Sequence, residues 1–132
     1  MKLSELKILL QTKFPENIIY QKAQKIRRGK NRYPRTVAMT KSGFMNFEIV
    51  GDPRSLSEIK FMLPLDDLAI LQRNTIAVKE VADVFCGAFV AGVDWIKTLL
   101  DRKTPDFKNA KISYVTLENI NFAFVTLKKS LP

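Results

Sequence analysis

Carboxylates and a single thiol are the side chains whose chemistry could support acid–base or nucleophilic catalysis. Asp66 and Asp67 are adjacent, and because neighbours on a helix or strand point apart, a helix cap is favoured over a catalytic pair. Asp83 and Asp94 are about three helical turns apart, farther than the ~10 Å that separates paired catalytic carboxylates. Cys86 lies in an uncharged run, which is typical of a buried cysteine and not of an activated thiolate.

Histidine is absent from the chain. This excludes the histidine-containing triads and, with one cysteine, a tetrahedral zinc site within one chain. The sequence also lacks the glycine-rich phosphate loops and the GxSxG motif of nucleophile elbows. We therefore expect a protein that is not an enzyme, and the sequence predicts no metal and no cofactor.

The net charge of +9 is concentrated in one segment. Eight basic residues and no acidic residue occur between Asn17 and Phe47. Such a cluster favours an anionic partner, which could be nucleic acid, lipid headgroups or an acidic protein. Tyr20, Tyr33 and Phe44 flank or interrupt the cluster and could stack on the bases of single-stranded nucleic acid. The alternative is a solvated loop. The predicted contacts to the partner are Lys25, Arg27, Arg28, Lys30, Arg32 and Arg35.

A second candidate surface lies on a long helix that we expect to begin at Asn74 or Thr75 and to end near Arg102. A helical turn capped by Asp66 or Asp67 precedes it, and the break between the two is either real or only a kink. Val84–Val93 contain no charge, so we expect burial on most of the helix circumference, by the chain itself or by a partner subunit. The alternative function is therefore a homo-oligomeric interaction module, with a dimer formed through residues 76–100. Its predicted interface residues are Phe85, Phe89, Gly92 and Trp95.

A further alternative is a binder of an apolar small ligand, with a pocket between the helix and the sheet. Haem belongs to this class, and Cys86, methionine or tyrosine would have to be its ligand. With a single cysteine no internal disulfide can form, which favours a reducing compartment. Charged residues interrupt the most apolar stretch, 81–100, so we predict no transmembrane segment and a cytoplasmic protein.

Alternating apolar residues predict an α+β fold in a single domain, 1–132. We expect a mainly antiparallel sheet of five to six strands, one long helix packed on a face, and a short N-terminal helix. Turn residues predict a loop from Arg27 to Pro34, and Val37 and Met39 share one face of the strand that follows. The predicted order of elements resembles that of the secretion-chaperone α+β fold, and the resemblance extends to no residue and no role. The predicted strands span about 18–25, 36–40, 44–50, 56–63, 111–117 and 120–127.

Overall fold

The computed structural model describes residues 1–14, 16–21, 24–28, 31–86, 94–105 and 109–129. Three helices lie within these ranges: α1 (Leu3–Lys13), α2 (Leu68–Cys86) and α3 (Trp95–Leu100). The strands are β1 (Ile18–Tyr20), β2 (Gln24–Arg28), β3 (Asn31–Thr40), β4 (Asn46–Asp52), β5 (Ser55–Pro64), β6 (Ala110–Leu117) and β7 (Ile120–Lys128).

The strands form one sheet in the order β1-β3-β4-β5-β7-β6, and β2 pairs with β3 in addition. Every strand pair among the described residues is antiparallel. The predicted α+β class, with a long helix and a short N-terminal helix, is confirmed.

The helices cover one face of the sheet. Leu6 and Leu10 of α1 and Leu71 of α2 are fully buried in the core, which they share with the inward positions of the strands. The rings of Phe14 and Phe47 meet edge to face with centroids 5.2 Å apart, and Phe47 and Phe61 do so at 5.5 Å. Such aromatic pairs add ~0.5–1.5 kcal/mol to the burial of their surface. This chain of rings joins α1 to the middle of the sheet.

The strand β3 turns its smaller residues inward. Ala38 and Thr40 are buried, whereas Val37 and Met39, which alternate with them, are partly exposed on the opposite face. The buried Thr40 hydroxyl accepts a hydrogen bond from the Met45 N–H at 3.2 Å, so its polarity is satisfied. The apolar residues Val37 and Met39 therefore lie outside the core, and the smaller Ala38 and Thr40 lie in it.

The segment expected to be a loop is largely strand. Arg27 and Arg28 belong to β2, and residues 31–34 begin β3. Pro34 lies opposite Lys25, beyond the point at which β4 pairs with β3. A proline is tolerated at such an edge because its missing N–H removes no bond from the interior of the sheet.

The long helix begins earlier than predicted and does not continue to Arg102. Asp67 Oδ1 accepts the Ile70 N–H at 3.1 Å and caps α2, which runs through Thr75 without a break. Asp94 has an extended conformation and accepts the Lys97 N–H at 3.1 Å, so it begins a separate helix, α3. The residues between the two helices, 87–93, lie outside the described part.

The described part of α2 is amphipathic. Phe85 and Cys86 are buried, but Val84 is 58% exposed and Ile76 is 62% exposed. Within the described residues one stripe of α2 faces the sheet and the chain itself leaves the other side uncovered, so the predicted burial on most of the circumference stays a prediction that would require a partner subunit. None of the helices in the described ranges combines the length and the apolar character that spanning a membrane requires.

Candidate functional site

The basic segment forms a two-stranded ribbon. The strand β2 pairs with β3 from Gln24 opposite Arg35 to Arg28 opposite Asn31. The strand β4 pairs with β3 only from Arg35 onward. In the part of the chain that the structure describes, residues 31–34 therefore have β2 as their only strand partner. We call residues 24–28 and 31–35 the basic ribbon.

The register of the basic ribbon places two residues of like charge opposite each other at one position. Arg27 pairs with Arg32, and Lys25 pairs with Pro34. Like charges directly opposite in an antiparallel pair are destabilising.

Arg35 is tied to the sheet. Its Nη2 atom lies 3.2 Å from Glu48 Oε2, and the two side chains are 30% and 21% exposed. An ion pair of this kind contributes at most ~1 kcal/mol, because water still screens it. Arg35 is thus partly neutralised at the base of the basic ribbon. Lys30 lies outside the described residues.

Of the three aromatic residues near the basic segment, Tyr33 lies in the basic ribbon opposite Ile26, whereas Tyr20 and Phe44 do not form one platform with the ribbon. The ring of Tyr20 lies under Lys7, whose Nζ is 4.6 Å from the ring centroid. Among the described residues the buried Tyr20 hydroxyl has no hydrogen-bond partner, and burial raises the pKa of this phenol. Phe44 is 48% exposed but follows the far end of the ten-residue strand β3. That strand is ~33 Å long, so Phe44 is distant from the end of β3 that carries the basic ribbon.

The candidate interface residues that can be placed lie in the core of the chain. Phe85 is 8% exposed and Trp95 is 7% exposed. Phe89 and Gly92 lie outside the described residues. Burial of Phe85 and Trp95 within one chain leaves little of either side chain for a partner subunit.

A small cavity lies between α2, α3 and the sheet, at the place where an apolar ligand was considered. Its volume is about 10 Å³, with Leu63, Val78, Trp95 and Val125 in its wall. This space holds about one water molecule, whereas ligand sites measure ~300–1,000 Å³. An open groove of about 410 Å³ runs beside it along Ile76.

Of the five residues considered for chemistry, all but Asp83, which is exposed on α2, have structural partners among the described residues. Asp67 and Asp94 cap helices, as described above. The Cys86 thiol donates to the Lys128 carbonyl oxygen at 3.4 Å, and burial raises the pKa of this thiol to about 11. Among the described residues, no three His, Cys, Asp or Glu side chains are grouped so that they could hold a metal ion.

A polar contact joins the β6–β7 hairpin to the start of α2. The sequence does not predict this contact. Asp66 accepts hydrogen bonds at 3.0 Å from both the backbone N–H and the side-chain amide of Asn121. Both hydrogen bonds favour the carboxylate and lower the pKa of Asp66. Asn121 in turn accepts from Arg102 Nη2 at 2.6 Å. The contact spans 55 residues of sequence, so no local motif signals it.

Comparison with known proteins gives no assignment. No family model, no curated protein and no solved structure matches the chain.

Proposed function

We propose that this chain is a non-enzymatic binding module that contacts an anionic partner through its basic segment. The contact residues are Lys25, Arg27, Arg28, Lys30, Arg32 and Arg35. Four of them lie in the paired strands of the basic ribbon, and a fifth, the ion-paired Arg35, lies at its base.

The observation that carries the proposal is the pairing of Arg27 with Arg32. Two cationic residues directly opposite in a ladder cost stability unless an anion lies between or beside them. A bound phosphate or carboxylate would turn this repulsion into charge-assisted hydrogen bonds, which are about twice as strong as neutral ones.

The charge distribution supports the same proposal. The segment from Asn17 to Phe47 contains no acidic residue, while acidic residues are frequent in the rest of the chain. A local basic patch on a nearly neutral body steers an anionic partner toward that patch and orients it on encounter.

The proposal is tested by titrating labelled single-stranded RNA, used as a general polyanion, with the parent and the triple variant Arg27→Ala, Arg28→Ala and Arg32→Ala. A matched control removes three exposed charges elsewhere: Arg73→Ala, Lys103→Ala and Lys111→Ala. We expect the ribbon variant to lose most of the affinity and the control to retain it. Equal binding by the two variants would contradict the proposal.

A further inference from the structure

The outward face of the sheet, opposite the helices, carries more apolar side chains than a face in contact with water usually does. Antiparallel sheets with one solvated face normally alternate apolar residues toward the core with polar residues toward the solvent. Here the register sets a mostly apolar row across the sheet from β1 to β6, and every side chain in it is at least partly exposed. From edge to edge the row contains Ile19, Met39, Asn46, Met62, Phe124 and Ser113.

A second apolar row lies two residues further along β5 on the same face. Pro64 pairs with Phe122, and Phe122 pairs with Val115. All three side chains are partly exposed. Monomeric proteins rarely expose contiguous apolar patches larger than a few hundred Å², and larger patches mark interaction surfaces. The two rows together therefore indicate that the outward face has a partner.

The charges near the centre of the outward face have both signs. The strand order places the midline of the sheet between β4 and β5, and Glu48 lies opposite Lys60 across that line. Arg35 contacts Glu48 at 3.2 Å, and Lys60 Nζ lies 5.7 Å from the ring centroid of Phe124. The protein has a net charge of +9, so two copies repel each other over most of their surface. A face that carries both signs at its centre is one on which two copies can meet.

We infer that the partner of the outward face is a second copy of this chain, which packs sheet against sheet about a two-fold axis along the midline. A two-fold interface must be complementary to itself. An axis between β4 and β5 satisfies this condition, because it brings Lys60 of each copy to the partner's Glu48. The same axis sets Met39 of each copy against the partner's Phe124. Sheets that pack face to face keep their strands within about 30° of each other and interdigitate their apolar side chains.

The outward face has the area that a small two-fold interface needs. The six strands from β1 to β6 in the sheet order span ~24 Å at their usual spacing. Along β5 the outward positions from Glu58 to Pro64 span ~20 Å. Two copies would together bury roughly 1,000 Å², which is at the lower end of specific interfaces. We therefore expect a dimer of micromolar affinity, since interfaces of modest area that bury few aromatic anchors bind weakly.

The test measures the mass of the protein in solution by sedimentation velocity at about 1 to 300 μM, a range that covers weak dimers. Two variants change the outward face, Met62→Lys and Lys60→Glu. Their matched controls, Ile76→Lys and Lys79→Glu, make the same changes at exposed positions on α2. Circular dichroism and denaturant unfolding verify the fold of each variant before its mass is measured.

We expect the parent to dimerise and Met62→Lys to raise the dissociation constant of the dimer at least about tenfold, because it inserts a charge into the apolar row. Lys60→Glu should raise it by about tenfold or more, because it sets a carboxylate against the partner's Glu48. Both α2 controls should dimerise as the parent does. If Met62→Lys does not fold, Lys60→Glu decides, since it replaces one charged side chain with another.

Three results would overturn the inference. The first is a parent that remains monomeric up to about 300 μM. The second is a dimer that the outward-face variants and the α2 controls weaken equally. The third is a dimer that only the α2 controls weaken, which would place the interface on the exposed side of α2.

Discussion

Arg27 lies directly opposite Arg32 across the β2–β3 ladder. Like charges at directly opposite positions destabilise an antiparallel pair, and an anion bound at such a pair would offset that cost. Binding and stability should therefore respond to substitution at this pair in opposite directions, which gives the first prediction.

Arg27→Glu should stabilise the protein and weaken polyanion binding. The change replaces a like-charge pair with an opposite-charge pair, so we expect the free energy of unfolding to rise by about 0.5–1 kcal/mol. Denaturant unfolding at low salt measures the effect, which should shrink when salt is added, because exposed charges are screened.

The matched control for this prediction is Arg28→Glu. Arg28 pairs with Asn31, so the same charge reversal relieves no like-charge pair. Its free energy of unfolding should change less than that of Arg27→Glu. If both variants gain the same stability, the effect comes from the lowered net charge and not from the pairing.

Gly51→Ala should destabilise the protein more than Gly43→Ala. Both glycines have positive φ, +123° and +80°, so either alanine is strained. At Gly51 an added Cβ would also lie 2.5 Å from the Ser57 backbone nitrogen, whereas at Gly43 it would meet open space. We expect losses of ~1–2 kcal/mol at Gly43 and ~2–4 kcal/mol at Gly51 in the free energy of unfolding. Similar losses would mean that the β4–β5 turn relaxes around the added carbon.

Asp66→Ala should destabilise the protein near neutral pH and less so in acid. The two hydrogen bonds from Asn121 lower the pKa of Asp66 in the folded state. A lowered folded pKa gives stability that is fully present above the unfolded value of ~3.9 and is lost as the pH falls through the folded pKa. Unfolding measured at pH 7 and near pH 3 should show the gap between parent and variant narrowing. The control for the loss of one negative charge is Asp83→Ala, at an exposed position on α2. If the difference in free energy of unfolding between the parent and Asp66→Ala stays constant with pH, the contact between Asp66 and Asn121 does not stabilise the protein in the way described.

Much of the sheet could be predicted because apolar and polar residues alternate clearly along its strands. Phe47 and Ile49 of β4, and Ile59 and Phe61 of β5, are buried as their spacing indicates. The alternation fails for β3, where Val37 is apolar but faces outward. Local sequence cannot reveal this, because the inward face is decided by the register with β4, in which Ala38 lies opposite Phe47.

The basic ribbon shows a different limit of prediction. Asn31 and Pro34 are turn and breaker residues, so the charged segment resembles a loop in sequence. Its strands become recognisable only through their pairing with each other, Arg28 with Asn31 and Lys25 with Pro34. The charge of the candidate site could therefore be predicted from sequence, and its two-stranded shape could not. The pairing of Arg27 with Arg32 likewise depends on the register.

The salt dependence of polyanion binding tests the central claim most directly. Each phosphate that the ribbon neutralises releases counterions, so the parent should show a log–log slope of affinity against salt of about −3 to −6. The triple variant Arg27→Ala, Arg28→Ala and Arg32→Ala should flatten this slope by about two to three units, at ~0.7–0.9 per contact. Its free energy of unfolding should not fall by more than ~0.5 kcal/mol, since charge substitutions away from helix caps usually change it by less than that. A parent and a triple variant with the same shallow slope would contradict the account.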